Sequence, residues 1–226
     1  MKRTAFFITG TDTGVGKTVL TALLARYLHE RGVRAAALKP ICSGGRGDAR
    51  ALRAAMNGAL TLDEINPWHF RAPIAPLLAA RRERKRIKLS QVLAHIRAIQ
   101  KHFDVVLIEG AGGLLSPLGE KFDSRDLIAA LRAIPIVVCP NRLGAVNQVL
   151  LTIGALPRSA AAKACVILIS PSKPGSSTAA NVNLLAEFFD KGRIFQLPWL
   201  GKHFSLVRGL NNLCAQRALR KLALVF

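Results

Sequence analysis

Short, continuous apolar runs alternate along this chain with longer stretches whose apolar residues recur every three or four positions. The runs at residues 5–9, 34–39, 104–109, 134–139, 164–169 and 193–197 hold few polar positions, as strands buried on both faces should; a half-exposed strand would alternate. Between them, residues 17–31 place Leu20, Leu23, Leu24 and Leu28 on one stripe, and residues 90–103 do the same with Val92, Ile96 and Ile99. Further helices are expected over 48–57, 124–133, 144–156 and 178–190, with Gly32 stopping the first helix and Lys191-Gly192 the last. Strands alternating with helices predict an α/β fold, a mostly parallel sheet with helices on both faces.

Two stretches escape this pattern. Between residues 57 and 89, Pro67, Pro73 and Pro76 punctuate an extended segment, which reads as a binding loop. Residues 205–226 are rich in Leu and Arg and match no motif; their amphipathic pattern predicts a helix packed on the body. With 226 residues, half of them apolar, and no repeat or low-complexity linker, the chain is expected to form one domain over 1–226. No apolar run approaches the roughly 18 residues of a membrane span, and Met1-Lys2-Arg3 leads into only about five apolar residues, so neither a span nor a signal peptide is expected. Cys42, Cys139, Cys165 and Cys214 lie far apart without zinc spacing, which suits reduced thiols in a cytoplasmic protein.

Charge changes the picture, because 33 Lys and Arg against 13 Asp and Glu give a formal +20. Such a field suits an anionic partner: a phosphate-bearing substrate, a nucleic acid or a membrane surface. The densest basic run, residues 81–88, contains no aromatic side chain to stack on a base, which argues against nucleic-acid binding as the main function.

Candidate chemistry begins with Gly10-Thr11-Asp12-Thr13-Gly14-Val15-Gly16-Lys17-Thr18, between the first expected strand and helix. A phosphate-binding P-loop wraps its ligand in backbone N–H groups, and Gly14 and Gly16 supply the positive φ or close approach that this needs. Lys17 would reach the terminal phosphates and Thr18 a magnesium ion, at the positive end of the helix that follows. The spacing departs from the standard pattern, since five residues rather than four separate Gly10 from Gly16, leaving Thr11 at the usual first position. A second segment, Val105 to Gly113, is a strand ending in Glu109 followed by Gly110, Ala111, Gly112 and Gly113; an acid at a strand end faces the ligand crevice of an open sheet and suits magnesium. A third, Lys39 to Asp48, puts a second lysine at a strand end, where it would stabilise charge on a transferring phosphoryl group. Asp48 has two readings, a metal or nucleotide contact and a helix N-cap.

These segments in this order, GTDTGVGKT, KPICSGG with GDA, and EGAGG, resemble dethiobiotin synthetase, and the likeness continues through NPWHF (66–70), NRLGAVN (141–147) and LPWL (197–200). The resemblance implies a P-loop NTPase-like sheet and ATP-dependent ring closure, in which 7,8-diaminopelargonate and carbon dioxide form a carbamate that takes the γ-phosphate and is attacked by the second amine. It also implies that Gly14, Val15, Gly16, Lys17, Thr18 and Val19 hold phosphates, with Gly110, Ala111 and Gly112 beside the nucleotide. Thr18, Asp48 and Glu109 would attend Mg²⁺, Lys17 and Lys39 would act on the carbamate and phosphate, and Thr13 and Ser43 would contact substrate. Pro198, Trp199 and Leu200 match the family's base-proximal loop. The family is a homodimer whose substrate carboxylate meets a helix N-terminus across the interface, a segment matched here by Gly144, Ala145, Val146 and Asn147.

One departure concerns the nucleotide. Family members usually read the adenine edge with Asn-Asp after the fifth strand, where this chain has Ser170-Pro171, so base choice is expected to be relaxed. The chief rival is a partitioning-type P-loop ATPase that switches on nucleic acid or membrane, but Asp12 and Thr13 stand where such proteins carry an additional lysine. An amidating synthetase of the cobyrinate type would need a glutamine-hydrolysing domain that this length cannot hold. A nucleotide-binding paralogue without turnover is the remaining alternative.

Overall fold

The computed structural model describes residues 3–201 and 205–225. In chain order its elements are β1 (Thr4–Gly10), α1 (Lys17–His29), β2 (Ala35–Leu38), β3 (Ile41–Ser43), α2 (Gly47–Ala55), α3 (Leu62–Ile65), β4 (Trp68–Phe70), α4 (Pro76–Arg82), α5 (Leu89–Gln100) and β5 (Val105–Glu109). There follow α6 (Ser124–Leu131), β6 (Ile134–Pro140), α7 (Ala145–Gly154), α8 (Arg158–Ala161), β7 (Cys165–Ile169), α9 (Ser176–Leu185), β8 (Ile194–Leu197), α10 (Leu206–Asn211) and α11 (Leu213–Ala223).

Six strands form one parallel sheet in the order β2-β5-β1-β6-β7-β8, and β3 and β4 make a separate parallel pair. All six expected strands are present. Phe6, Phe7, Ile8, Val106, Leu107 and Ile108 are fully buried, because helices cover the sheet and leave no solvent face for alternation. On α1 the stripe of Leu20, Leu23, Leu24 and Leu28 packs inward, each such burial contributing about 1.5–3 kcal/mol. That helix rests on β1, β2 and β5 and meets α2, α10 and α11, whereas α7 packs on β6 and α9.

From β1 the chain first crosses to β2 on one side and later enters β6 on the other. The switch in direction opens a crevice beyond the carboxyl ends of β1, β2 and β5, which is where open α/β sheets hold ligands.

Two regions differ from the sequence reading. The stretch from 57 to 89 is more ordered than a binding loop: Thr61 and Glu64 form a capping box that starts α3, and β4 pairs with β3 through contacts distant in sequence. The helix expected over 178–190 stops at Leu185, and α8 occupies a connection read as loop. In the tail, α11 buries Ala215, Ala218, Leu219 and Leu222 on one face and lies against β8 and α1. Among the described residues, no helix is long and apolar enough to cross a membrane.

Candidate active site

The turn from β1 to α1 carries the phosphate loop. Gly14 and Gly16 sit at φ 72° and 97°, the left-handed region that a side chain disfavours, and a Cβ on Gly16 would also collide with Ile169. Gly10 matters for a different reason: a Cβ there would lie 2.6 Å from a Val15 methyl and 3.1 Å from the Lys17 ammonium. Gly16 caps α1 without a side-chain hydrogen bond, so the first-turn N–H groups are left for an anion.

The carboxyl ends of β2 and β5 bring two more charges to this turn. Lys39 Nζ lies 2.6 Å from Glu109 Oε1, 2.9 Å from the Gly110 carbonyl oxygen and 3.1 Å from Asp48 Oδ2. Thr18 Oγ1 donates to the same Glu109 oxygen at 2.8 Å. Lys17 Nζ donates to the Asp12 carbonyl oxygen at 2.8 Å. Lys17, Lys39 and Glu109 are all at least 95% buried by side-chain or residue exposure of 5% or less. Burial, followed by the nearby Lys39 charge, lowers the Lys17 pKa to about 8. Burial alone would lower Lys39 as well, but Glu109 and Asp48 outweigh it and hold its pKa above the ordinary lysine value.

Two cavities meet at the phosphate loop. A volume of about 720 Å³ is lined by Thr13, Lys17, Thr18, Lys39, Ser43, Asp48, Glu109, Ala111 and Gly112, with Pro73, Ile74, Ala75, Pro76, Ser116 and Pro117 forming its far wall. A second volume of about 420 Å³ lies on the other side, between Val15 and Val19 of the loop and helix and Pro171, Pro198, Trp199 and Leu200. Gly14, Gly16 and Val19 line both, so a ligand with its phosphates on the loop would extend an apolar group one way and a reacting end the other.

For a divalent cation the local chemistry fits. Glu109 Oε2 is buried with no hydrogen-bond partner, the Thr18 hydroxyl is adjacent, and the Asp48 side chain is half exposed. Among the described residues no group of three His, Cys, Asp or Glu forms a complete cage. One or two carboxylates beside a hydroxyl can serve a hard divalent cation that completes its shell with water and phosphate.

The matching family model, described as an AAA domain, spans residues 4–203. ATP-dependent dethiobiotin synthetase of Anaeromyxobacter dehalogenans is 36% identical over 216 residues, covering 93% of this chain and 97% of that protein. The enzymes of the same name from Anaeromyxobacter sp. strain K and Bacillus licheniformis are 38% and 34% identical, covering 85% and 81% of this chain. The chain belongs to the dethiobiotin synthetase family. Its fold also resembles a protein described as a plasmid partition protein of Borrelia burgdorferi B31 bound to AMPPNP, with a TM-score of 0.59 and 13% identity over 100% of this chain and 98% of that one. At that identity the likeness concerns the fold alone.

Against the family's expected site, the structure gathers most residues and separates a few. Asp48 does not cap α2: Arg46 occupies the N-cap, and Asp48 turns instead to Lys39. Ser43 Oγ donates to the Ile74 carbonyl oxygen at 2.6 Å, tying the end of β3 to the proline-rich wall. Gly110 lines neither large cavity and contributes its carbonyl oxygen to Lys39. Gly144, Ala145, Val146 and Asn147 form the N-terminus of α7, with Gly144 at φ 87°, and line neither cavity of the single chain. Sequence reasoning gave no role to Ile74, Ser116, Pro117, Cys42 or Asn66. Pro73 and Pro76 flank the first of these and were the available signal; Asn66 opens the NPWHF segment.

Proposed function

We propose that this chain is an ATP-dependent dethiobiotin synthetase, a ligase that closes the ureido ring of dethiobiotin in biotin biosynthesis. Family membership over most of the chain supports this reading, and the observation that carries it is the pair of buried lysines, Lys17 beside the phosphate loop and Lys39 paired with Glu109, that line the larger cavity. A carbamate, a triphosphate and a mixed anhydride are all anions, so the reaction calls for positioned cations and N–H groups rather than a nucleophilic side chain.

In this reading ATP lies across the loop, its base in the apolar cavity beside Trp199 and its γ-phosphate toward Lys17. The diamine 7,8-diaminopelargonate occupies the larger cavity near Thr13 and Ser43. One amine attacks carbon dioxide and loses a proton, giving a carbamate. A carbamate oxygen then attacks the γ-phosphorus and ADP leaves. The second amine attacks the carbamoyl carbon, phosphate leaves with the bridging oxygen, and the ring closes. Lys17 and Lys39 offset the charge that gathers on the carbamate and the transferring phosphoryl group. Thr18, Asp48 and Glu109 would hold Mg²⁺, which supplies further charge neutralisation at the phosphates. The chain acts as a homodimer, with the α7 N-terminus at Gly144 to Asn147 offering N–H groups to the carboxylate of a substrate bound in the other subunit. A partitioning-type switch has the fold likeness and the basic charge in its favour, neither of them specific to it.

The test is direct. Purified protein with 7,8-diaminopelargonate, bicarbonate, ATP and Mg²⁺ is expected to form dethiobiotin with matching release of ADP, measured by mass spectrometry. No product above a control lacking protein, across several nucleotides, refutes the assignment.

A further inference from the structure

Lys39 follows the last residue of β2 that pairs with β5, and Pro40 after it has no N–H to continue the ladder. Its backbone is instead held by one remote segment. The Lys39 N–H donates to the Ile65 carbonyl oxygen at 3.0 Å, and the Lys39 carbonyl oxygen accepts from the side-chain amide of Asn66 at 2.7 Å. Asn66 is fully buried. The same amide reaches the Pro40 carbonyl oxygen at 3.4 Å, while Asn66 Oδ1 accepts from the Cys42 thiol at 3.1 Å. The Asn66 main chain is fixed in turn, its N–H donating to Leu62 at 2.8 Å and its carbonyl oxygen accepting from Arg46 at 3.0 Å.

We propose that Asn66 is a positioning residue for the ring-closing reaction, clamping the Lys39–Cys42 backbone so that the Lys39 ammonium meets Glu109, Gly110 and Asp48. This rests on the synthetase reading above. The ammonium's three hydrogens are matched to three acceptors at the end of a long flexible stem. A shift of about 1 Å in the backbone would lose that match, and misplacement of that size can cost about 10²-fold in rate. The Asn66 amide supplies a donor to the Lys39 and Pro40 carbonyl oxygens and an acceptor to the Cys42 thiol, at a reach that the shorter serine hydroxyl lacks. An ionised aspartate would turn a carboxylate toward two carbonyl oxygens; leucine would leave the Lys39 carbonyl oxygen without its partner, while the Pro40 carbonyl keeps the Trp68 N–H and the Cys42 thiol keeps the Gly45 carbonyl oxygen.

The decisive experiment is a double-mutant cycle on kcat for dethiobiotin formation, using wild type, N66S, K39M and N66S/K39M, with nucleotide Kd measured alongside. N66S is expected to lower kcat by about 10²-fold in the wild-type background and by no more than about threefold in the K39M background, with nucleotide Kd little changed. Equal losses in both backgrounds, or a parallel loss of nucleotide affinity, overturn the proposal. N66D supplies a second arm: a protonated carboxyl regains the donor, so its kcat relative to wild type should rise as pH falls from about 8 to about 6, and a flat ratio counts against the clamp. The third arm needs no turnover. In the ¹⁵N spectrum of lysine ammonium groups, the signal missing in K39M should shift or broaden in N66S and in N66D at about pH 8. An unchanged signal refutes the clamp even if the wild type makes no dethiobiotin, a result that would separately refute the synthetase reading.

Discussion

Removing Lys39 separates the chemical role of this site from its nucleotide-binding role. In K39A, Glu109 keeps only the Thr18 hydroxyl as a partner while staying 1% exposed. Breaking a buried ion pair from one side costs about 3–5 kcal/mol. Asp48, with a half-exposed side chain, needs no such compensation. Against a typical stability of about 5–15 kcal/mol the protein stays folded, with Tm lowered by roughly 6–20 °C for a chain of this size. The rate should suffer more, since losing one preorganised charge at a transferring group costs about 10²–10³-fold. Nucleotide affinity should hold within about tenfold, or 1.4 kcal/mol, because the loop glycines, Lys17 and the α1 N-terminus are untouched. Loss of Lys39 also relieves the repulsion that helps lower Lys17, which favours phosphate binding. Initial rates of dethiobiotin formation, calorimetric nucleotide Kd and thermal unfolding test all three. If affinity falls in step with rate, Lys39 serves binding rather than the chemical step and the reasoning fails. Adding E109Q to K39A should restore much of the stability and none of the rate.

Three further outcomes follow from the same geometry. The Asn141 amide is committed to Thr178 and Asn181, and Pro140, Pro171 and Pro198 offer no N–H, so ATP, CTP and GTP should support similar kcat/KM; a strict ATP preference side by side contradicts this. Lys17, at about 8 in the free protein, must be charged to meet a triphosphate, so above that pH binding should take up a proton and affinity should fall by up to tenfold per pH unit. Calorimetry in buffers of different ionisation enthalpy measures the uptake, and none at about pH 9 would refute it. Cys42, Cys139 and Cys165 are buried with raised pKa, Cys165 to about 11, whereas Cys214 is exposed, so a thiol reagent should label one cysteine rapidly in the native chain and all four after denaturation; rapid labelling of more than one contradicts the packing.

The main sheet was legible because strands buried on both faces leave uninterrupted apolar runs such as Phe6 to Ile8 and Val105 to Ile108. Lys17, Thr18, Lys39 and Glu109 were legible for a related reason: each lies at the end of such a run or one turn beyond it, where the topology opens toward the crevice. The β3–β4 pair was not, since three-residue strands have too little period to detect and Ile41 meets Trp68 only through tertiary contact. Asp48 carried two local meanings in sequence, a helix N-cap and a metal or nucleotide contact; Arg46 takes the cap and Asp48 turns to Lys39, a partner distant in sequence. Asn66 was invisible as a site residue because its partners, Lys39, Pro40 and Cys42, lie 24 or more residues away.

The central claim, ring closure through a phosphorylated carbamate, predicts where each atom of carbon dioxide goes. With freshly added bicarbonate labelled in carbon and oxygen, together with 7,8-diaminopelargonate, ATP and Mg²⁺, dethiobiotin should gain the labelled carbon and the released phosphate should gain one labelled oxygen. ATP hydrolysis that yields unlabelled phosphate and no labelled dethiobiotin would contradict it.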